Sequence, residues 1–69
     1  MKMNTRQIAE VLTALLENDD ENEDSILHRK IRRMGVLSFR DVGLLTNNDG
    51  VVLRMKNGDE FQITVVKSA

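Results

Sequence analysis

The chain has 69 residues, with ten Lys and Arg against eleven Asp and Glu, which gives a net charge of −1. This length allows one small core at most, and 41% apolar with 30% charged residues is the composition of a folded domain, not of a disordered chain. The sequence contains no Cys and no apolar run longer than three residues, which excludes disulfides, a Cys-based zinc site and a membrane span of roughly 20 residues. We therefore expect residues 1–69 to form one cytoplasmic domain with no cofactor, membrane or small-molecule substrate.

The strongest periodic segment predicts an N-terminal helix over residues 4–17. Asn4 followed three residues later by Gln7 is a variant of the capping box and marks the start of the helix. Apolar residues recur at i, i+3, i+4, i+7 and i+8 and form a single stripe: Ile8, Val11, Leu12, Leu15 and Leu16.

Residues 17–24 contain six acidic residues and two Asn, a self-repelling composition that predicts a loop. The calcium-loop pattern does not fit, because Glu23 stands where the sharp-turn Gly belongs and Arg29 where the bidentate Glu belongs. We therefore expect no metal site. The concentrated carboxylates attract a basic partner, so five of them form a candidate partner-binding site: Asp19, Asp20, Glu21, Glu23 and Asp24.

Residues 25–34 predict a second helix, because Leu27, Ile31 and Met34 lie at i, i+4 and i+7 and Gly35 follows as a stop. Together with two cations from later in the chain, its basic residues form an alternative nucleic-acid site: Arg29, Lys30, Arg32, Arg33, Arg54 and Lys56. The lack of Tyr and Trp for base stacking and the slightly negative net charge disfavour that alternative.

After Gly35, short runs rich in Val, Ile and Phe alternate with turn residues, which indicates strands. The Asp49-Gly50 and Asn57-Gly58 steps each predict a hairpin turn. The result is a three-stranded antiparallel meander whose first strand covers residues 42–46.

The loop length of the second hairpin sets its register. A two-residue loop would oppose an apolar row to a polar one, whereas a three-residue loop over residues 56–58, with Gly58 in the left-handed region, pairs Leu53 with Phe61. The longer loop also pairs Val51 with Ile63 and Arg54 with Glu60, so it gives one continuous apolar face and a cross-strand ion pair.

Residues 37–45 also support a helix, with Ser38 as N-cap and Asp41 three residues later. Gly43 counts against that helix by about 1 kcal/mol relative to Ala. With the helix, the element order resembles a winged-helix or helix-turn-helix module of three helices plus a hairpin, which implies a small DNA-binding regulator.

The favoured interpretation is an α+β fold with two N-terminal helices packed on one face of the three-stranded meander. Val52 and Val66 fall on the other face and form an apolar strip that a partner protein or a second copy covers. The predicted core comprises Ile8, Val11, Leu12, Leu15, Leu16, Leu27, Ile31, Met34, Val51, Leu53, Met55, Phe61, Ile63 and Val65, with Phe39 and one or both of Leu44 and Leu45.

These features predict a small non-enzymatic interaction protein, accessory or inhibitory, that binds a partner protein or itself as a homodimer through the acidic loop or the exposed sheet. Catalysis is disfavoured because His28 is the single imidazole and no nucleophile motif or phosphate-binding loop occurs.

Overall fold

The computed structural model describes residues 3–43 and 48–68. The elements are α1 (Thr5–Asp20), α2 (Ile26–Lys30), β1 (Ile31–Ser38), β2 (Asp49–Met55) and β3 (Glu60–Val65). The three strands form one antiparallel sheet in the order β1-β2-β3, and the helices pack against it. The predicted α+β fold, with helices on one face of a three-stranded meander, is confirmed.

Helix α1 begins as its sequence predicts. The Asn4 side chain accepts a hydrogen bond from the Gln7 amide at 2.8 Å, and the Gln7 side chain accepts one from the Asn4 amide at 3.0 Å. The helix continues to Asp20, so the prediction that residues 17–20 belong to a loop is wrong. The negative charge of the carboxylates is unfavourable at a helix C-terminus, where the helix dipole is also negative. The backbone is nevertheless partly satisfied there, because the Asp19 carbonyl accepts a hydrogen bond from the Ser25 hydroxyl at 2.8 Å.

The second helix ends at Lys30, and its predicted extension to Met34 is wrong. Ile31 pairs with Met55 as the first residue of β1, and the Lys56 amide donates to the Lys30 carbonyl at 2.8 Å. Pairing with β2 buries Ile31 almost completely, which overrides the helical period of the local sequence. The first strand of the sheet is therefore Ile31–Ser38, and residues 42–43, where the first strand was predicted to begin, form a turn.

Strand β1 contains a large bulge. Ile31 pairs with Met55 and Val36 pairs with Leu53, so residues 32–35 of β1 oppose Arg54 alone. Within the bulge Met34 has φ 57°, in the left-handed region. A Cβ atom on Gly35 would lie 2.5 Å from the Arg54 carbonyl oxygen, so only Gly fits there. Gly35, predicted as a helix stop, is instead the residue that lets the bulge close against β2.

The second hairpin has the predicted three-residue loop. Gly58 has φ 95°, and the Met55 amide donates to the Asp59 carbonyl at 2.8 Å. Leu53 pairs with Phe61, and Val51 with Ile63. The Arg54 guanidinium donates to the Glu60 carboxylate at 3.0 Å, so the predicted cross-strand ion pair is also confirmed.

The connection from β1 to β2 differs from both sequence interpretations. The Asp41 amide donates to the Ser38 hydroxyl at 3.1 Å, which is the predicted cap, but residues 39–43 form only turns. Among the described residues there is thus no third helix, and the segment expected as the second helix of a winged-helix module is mostly strand, so that alternative is wrong. Residues 44–46, including the core candidates Leu44 and Leu45, lie outside the described residues.

The Asp49-Gly50 step begins β2 and is not a hairpin turn. A Cβ atom on Gly50 would lie 2.6 Å from the Phe39 ring and 2.2 Å from the Ile63 carbonyl oxygen. Glycine is therefore required at position 50 by the close packing of Phe39 and β3, and not by a turn.

The hydrophobic core centres on Ile31, Val36 and Val51. Further predicted core residues pack around this cluster: Leu12, Leu16, Leu27, Leu53 and Met55. Phe39 is buried as predicted, together with Ala9. Six other predicted core residues are exposed and correct the prediction: Ile8, Val11, Leu15, Met34, Phe61 and Ile63.

Candidate interaction surface

Helix α1 lies off-centre on the sheet. The Thr5 hydroxyl donates to the Asp49 carboxylate at 2.7 Å where β2 begins. At the other end of α1, the Asp20 carbonyl contacts the ring of His28 in α2, and α2 leads directly into Ile31, which pairs with the last residue of β2. The helix therefore runs along β2. It packs mainly on β1 and β2 and only marginally on β3. As a result, the helix-facing side of β3 is incompletely covered, and Phe61 is 54% and Ile63 39% exposed.

One flank of α1 is apolar and exposed. Ile8, Val11 and Leu15 lie at i, i+3 and i+7, to one side of the buried Ala9. The opposite flank, with Arg6 and Glu10, borders a cavity formed with the end of β1. Because α1 runs along β2, the apolar flank is turned towards β3. We name the combined exposed patch the α1–β3 surface; it consists of Ile8, Val11, Leu15, Phe61 and Ile63.

Strand β3 is also an edge of the sheet, because among the described residues it pairs only with β2. The Met55 amide donates to the Asp59 carbonyl, and Phe61 and Ile63 pair with Leu53 and Val51. Backbone groups alternate in direction along a strand, so those of Glu60, Gln62 and Thr64 point to the free edge. This edge presents donors and acceptors to a further strand directly beside the apolar patch.

The strip predicted on the opposite sheet face is wrong for one of its two members. Val52 is 1% exposed and lies on the middle strand, with Leu37 on one side and Gln62 on the other. Val66 is 72% exposed, just beyond the end of β3. Val52 is therefore a core residue, and only Val66 is available to a partner.

The predicted acidic site is divided between the last turn of α1 and a structured loop. Asn22 organises the loop, since its side chain accepts from the Asp24 amide at 3.1 Å and its carbonyl accepts from the Ser25 amide at 2.9 Å. The His28 ring nitrogen Nδ1 contacts the Asp20 carbonyl. Asp20 is half-buried, and the other four carboxylates are exposed: Asp19, Glu21, Glu23 and Asp24. In the described part of the chain, no cluster of three or more His, Cys, Asp or Glu side chains is arranged to hold a metal ion.

The alternative basic site is brought together by the sheet, not by a helix. Arg32 and Arg33 project from the β1 bulge opposite Arg54, and the backbone bond between Lys56 and Lys30 joins the hairpin loop to the end of α2. Arg54 is half-buried and bound to Glu60, whereas five cations are exposed: Arg29, Lys30, Arg32, Arg33 and Lys56. We name these six residues the basic cluster.

A cavity of about 410 Å³ lies between α1 and the turn after β1. Its walls include Thr13, Phe39 and Gly50, together with Arg40 and the capped pair Ser38 and Asp41. Several of its polar groups bond within the protein: Ser38 to Asp41, and Asp49 to Thr5. The single His lies elsewhere, at the junction of α1 and α2, so the cavity lacks an imidazole base for a nucleophile.

Comparison with known protein families, with curated proteins and with solved structures finds no match to this chain. Within residues 3–43 and 48–68, no helix has the length and apolar character required to cross a bilayer.

Sequence reasoning assigned all five members of the α1–β3 surface to the core. Their apolar character was visible, but their exposure depends on where α1 lies across the sheet. One signal was available: an edge strand with apolar side chains on one face needs a cover, and within the described residues α1 is the only helix long enough to supply it.

Proposed function

We propose that the protein is a small non-enzymatic interaction module, accessory or inhibitory in role, that binds a partner protein through the α1–β3 surface and the adjoining edge of β3. The observation that carries the proposal is that five large apolar side chains are exposed on adjoining elements, three on α1 and two on the edge strand β3. Contiguous apolar patches are typical of protein interfaces, and a free edge accepts an added strand through backbone hydrogen bonds.

The acidic residues contribute in a different way. The four exposed carboxylates are solvated and lie around the end of α1, so their expected effect is on the rate of encounter with a basic partner more than on affinity. The absence of Cys supports a reducing compartment, and the cytoplasm is the location we propose.

Photo-crosslinking tests the proposal. A benzophenone analogue of Phe is introduced at position 61 in the full chain, and at position 40 as a control, because Arg40 is exposed but lies beside the cavity, in the turn after β1. Irradiation in the native cytoplasm should give a defined protein adduct, to another protein or to a second copy, from position 61 only. Equal adducts from both positions, or none from position 61, would overturn the proposal.

The basic cluster supports nucleic-acid binding as a second candidate function. The specific observation is that the bulge, the hairpin loop and α2 place six cations around one end of the sheet. Lys and Arg that contact phosphates give an affinity that falls with the logarithm of salt concentration.

This second function is tested by retention on duplex DNA at increasing salt. The variant Arg32→Ala with Arg33→Ala should lower the salt slope by about 1 for each phosphate that the protein no longer neutralises. The control is Arg6→Ala with Arg40→Ala, which removes the same charge beside the cavity and should leave retention unchanged. If both double variants behave alike, the basic cluster is not a DNA-binding site.

A further inference from the structure

We infer that the partner on the α1–β3 surface is a second copy of this chain, whose β3 pairs antiparallel with the first to form a continuous six-stranded sheet. The inference rests on the proposed role of this surface in protein binding, and it adds the identity of the occupant and the register.

The pattern of side chains on β3 suits pairing with itself. A two-fold axis perpendicular to the sheet keeps the same face of both strands on the same side. Phe61, Ile63 and Val65 lie on the helix-facing side, whereas Gln62 and Thr64 lie on the other. Within Glu60–Val65, every two-fold register of this kind therefore pairs apolar residues with apolar ones and polar residues with polar ones. The residues just beyond the strand ends decide between the registers.

Charge complementarity selects the register with Ile63 on the axis. Phe61 then faces Val65 of the second copy, and Asp59 faces Lys67 of the second copy, which gives two ion pairs for each dimer. With Gln62 on the axis, Asp59 would instead face Val65. With Thr64 on the axis, Phe61 would face Lys67. Of these three registers, only the one with Ile63 on the axis satisfies the apolar and the charged positions on the helix-facing side; on the other side it places Glu60 opposite Val66 of the second copy.

The groups required by this register are accessible. Asp59 and Lys67 are both exposed. One Asp59 carboxylate oxygen accepts from the Asn57 side chain at 3.0 Å, and a carboxylate retains further acceptor positions for an ammonium group. Gln62 would face Thr64 of the second copy, and both residues direct their backbone N–H and C=O groups to the free edge, as antiparallel pairing requires.

The position of α1 completes the argument. Under this symmetry both α1 helices lie on the same side of the six-stranded sheet, each displaced from β3 towards β1. The gap between them lies over Phe61 and Ile63 of both copies. The exposed flanks with Val11 and Leu15 face each other across that gap, so a second copy covers the apolar side chains that one copy leaves in water.

The test measures the oligomeric state of the full chain by sedimentation equilibrium. The wild type should be a dimer, and Ile63→Lys should make it a monomer because two ammonium groups would meet on the axis. Met34→Lys is the matched control: it adds the same charge at an exposed apolar residue on the opposite edge of the sheet and should remain dimeric. Circular dichroism confirms that each variant is folded.

Charge reversal tests the register. Asp59→Lys alone and Lys67→Asp alone each create two like-charge pairs and should raise the dissociation constant about tenfold or more, whereas the two together should restore it. Backbone amide exchange at Gln62 and Thr64 should slow as the protein concentration rises, while exchange at Phe61 and Ile63 is slow at all concentrations.

A wild type that stays monomeric at about 1 mM, or a dimer that persists in Ile63→Lys, overturns the inference. Failure of the double charge reversal to restore the dimer overturns the register. If the chain is monomeric but position 61 crosslinks to a different protein, the inference fails and the proposed function stands. If position 61 gives no protein adduct at all, both fail.

Discussion

Leu53 and Phe61 lie directly opposite each other across the β2–β3 ladder, but only Leu53 packs against the core. Their side chains are on the same face of the sheet, so the difference marks the place where the cover provided by α1 ends. On β3, beyond that line, the apolar side chains are covered only in part. The exposed Phe61 side chain leaves apolar area in water. Because a domain this small buries little apolar area of its own, covering Phe61 with a partner would add to the stability of the domain, which favours association.

Substitutions at Ile31 and Met34 distinguish the observed strand from the predicted helix. A helix would place both side chains on its core face, whereas in the structure Ile31 is buried and Met34 is 80% exposed. Ile31→Ala should lower the free energy of unfolding by about 2–5 kcal/mol and Met34→Ala by less than about 0.5 kcal/mol. Urea denaturation measures both values, and similar losses would favour the helix.

Met34→Gly should stabilise the protein. A residue other than Gly in the left-handed region costs roughly 1–2 kcal/mol, and Gly removes that cost while adding about 0.5–1 kcal/mol of backbone entropy loss. The expected net gain in the free energy of unfolding is therefore about 0–1.5 kcal/mol. Met34→Ala is the comparison, because it removes the same side chain but keeps the strain. A Gly variant no more stable than the Ala variant would show that the bulge is unstrained at this position.

Gly50→Ala should destabilise the protein by about 1–3 kcal/mol, as expected for overpacking. The added methyl group would lie 2.2 Å from the Ile63 carbonyl oxygen and 2.6 Å from the buried Phe39 ring, so β3 or the ring must shift. Thr64→Ala, at the exposed residue paired with Gly50, serves as the control and should change the free energy of unfolding by about 0.5 kcal/mol or less. Equal effects in thermal or urea unfolding would contradict the close approach.

Val52→Lys and Val66→Lys should have opposite outcomes. Val52 is fully buried, so a Lys there places an ammonium group in the interior without a partner. This is expected to unfold a domain whose free energy of unfolding is only ~3–5 kcal/mol. Val66→Lys places the same charge in water and should leave the fold intact. Far-ultraviolet circular dichroism separates the two, and a folded Val52→Lys chain would mean that this sheet face is open to solvent.

The parts of the fold that the sequence predicted correctly depend on neighbouring residues. The α1 start follows from Asn4 and Gln7, which exchange hydrogen bonds across one turn. The β2–β3 register follows from a three-residue loop and an alternation that leaves only one pairing with a shared apolar face. In both, the interacting residues are close in the chain, so spacing and residue type were sufficient.

Residues 31–38 show where this information ends. The spacing of Leu27, Ile31 and Met34 is helical. Burial of Ile31 and Val36 against β2 outweighs that preference, and the bulge at residues 32–35 absorbs the mismatch. The basic cluster and the α1–β3 surface depend on the same long-range packing. By itself, the sequence determined the fold class, the helix cap and the terminal hairpin, because those depend on local patterns. Tertiary structure alone decided which apolar residues stay in water, because that depends on where one helix lies across three strands.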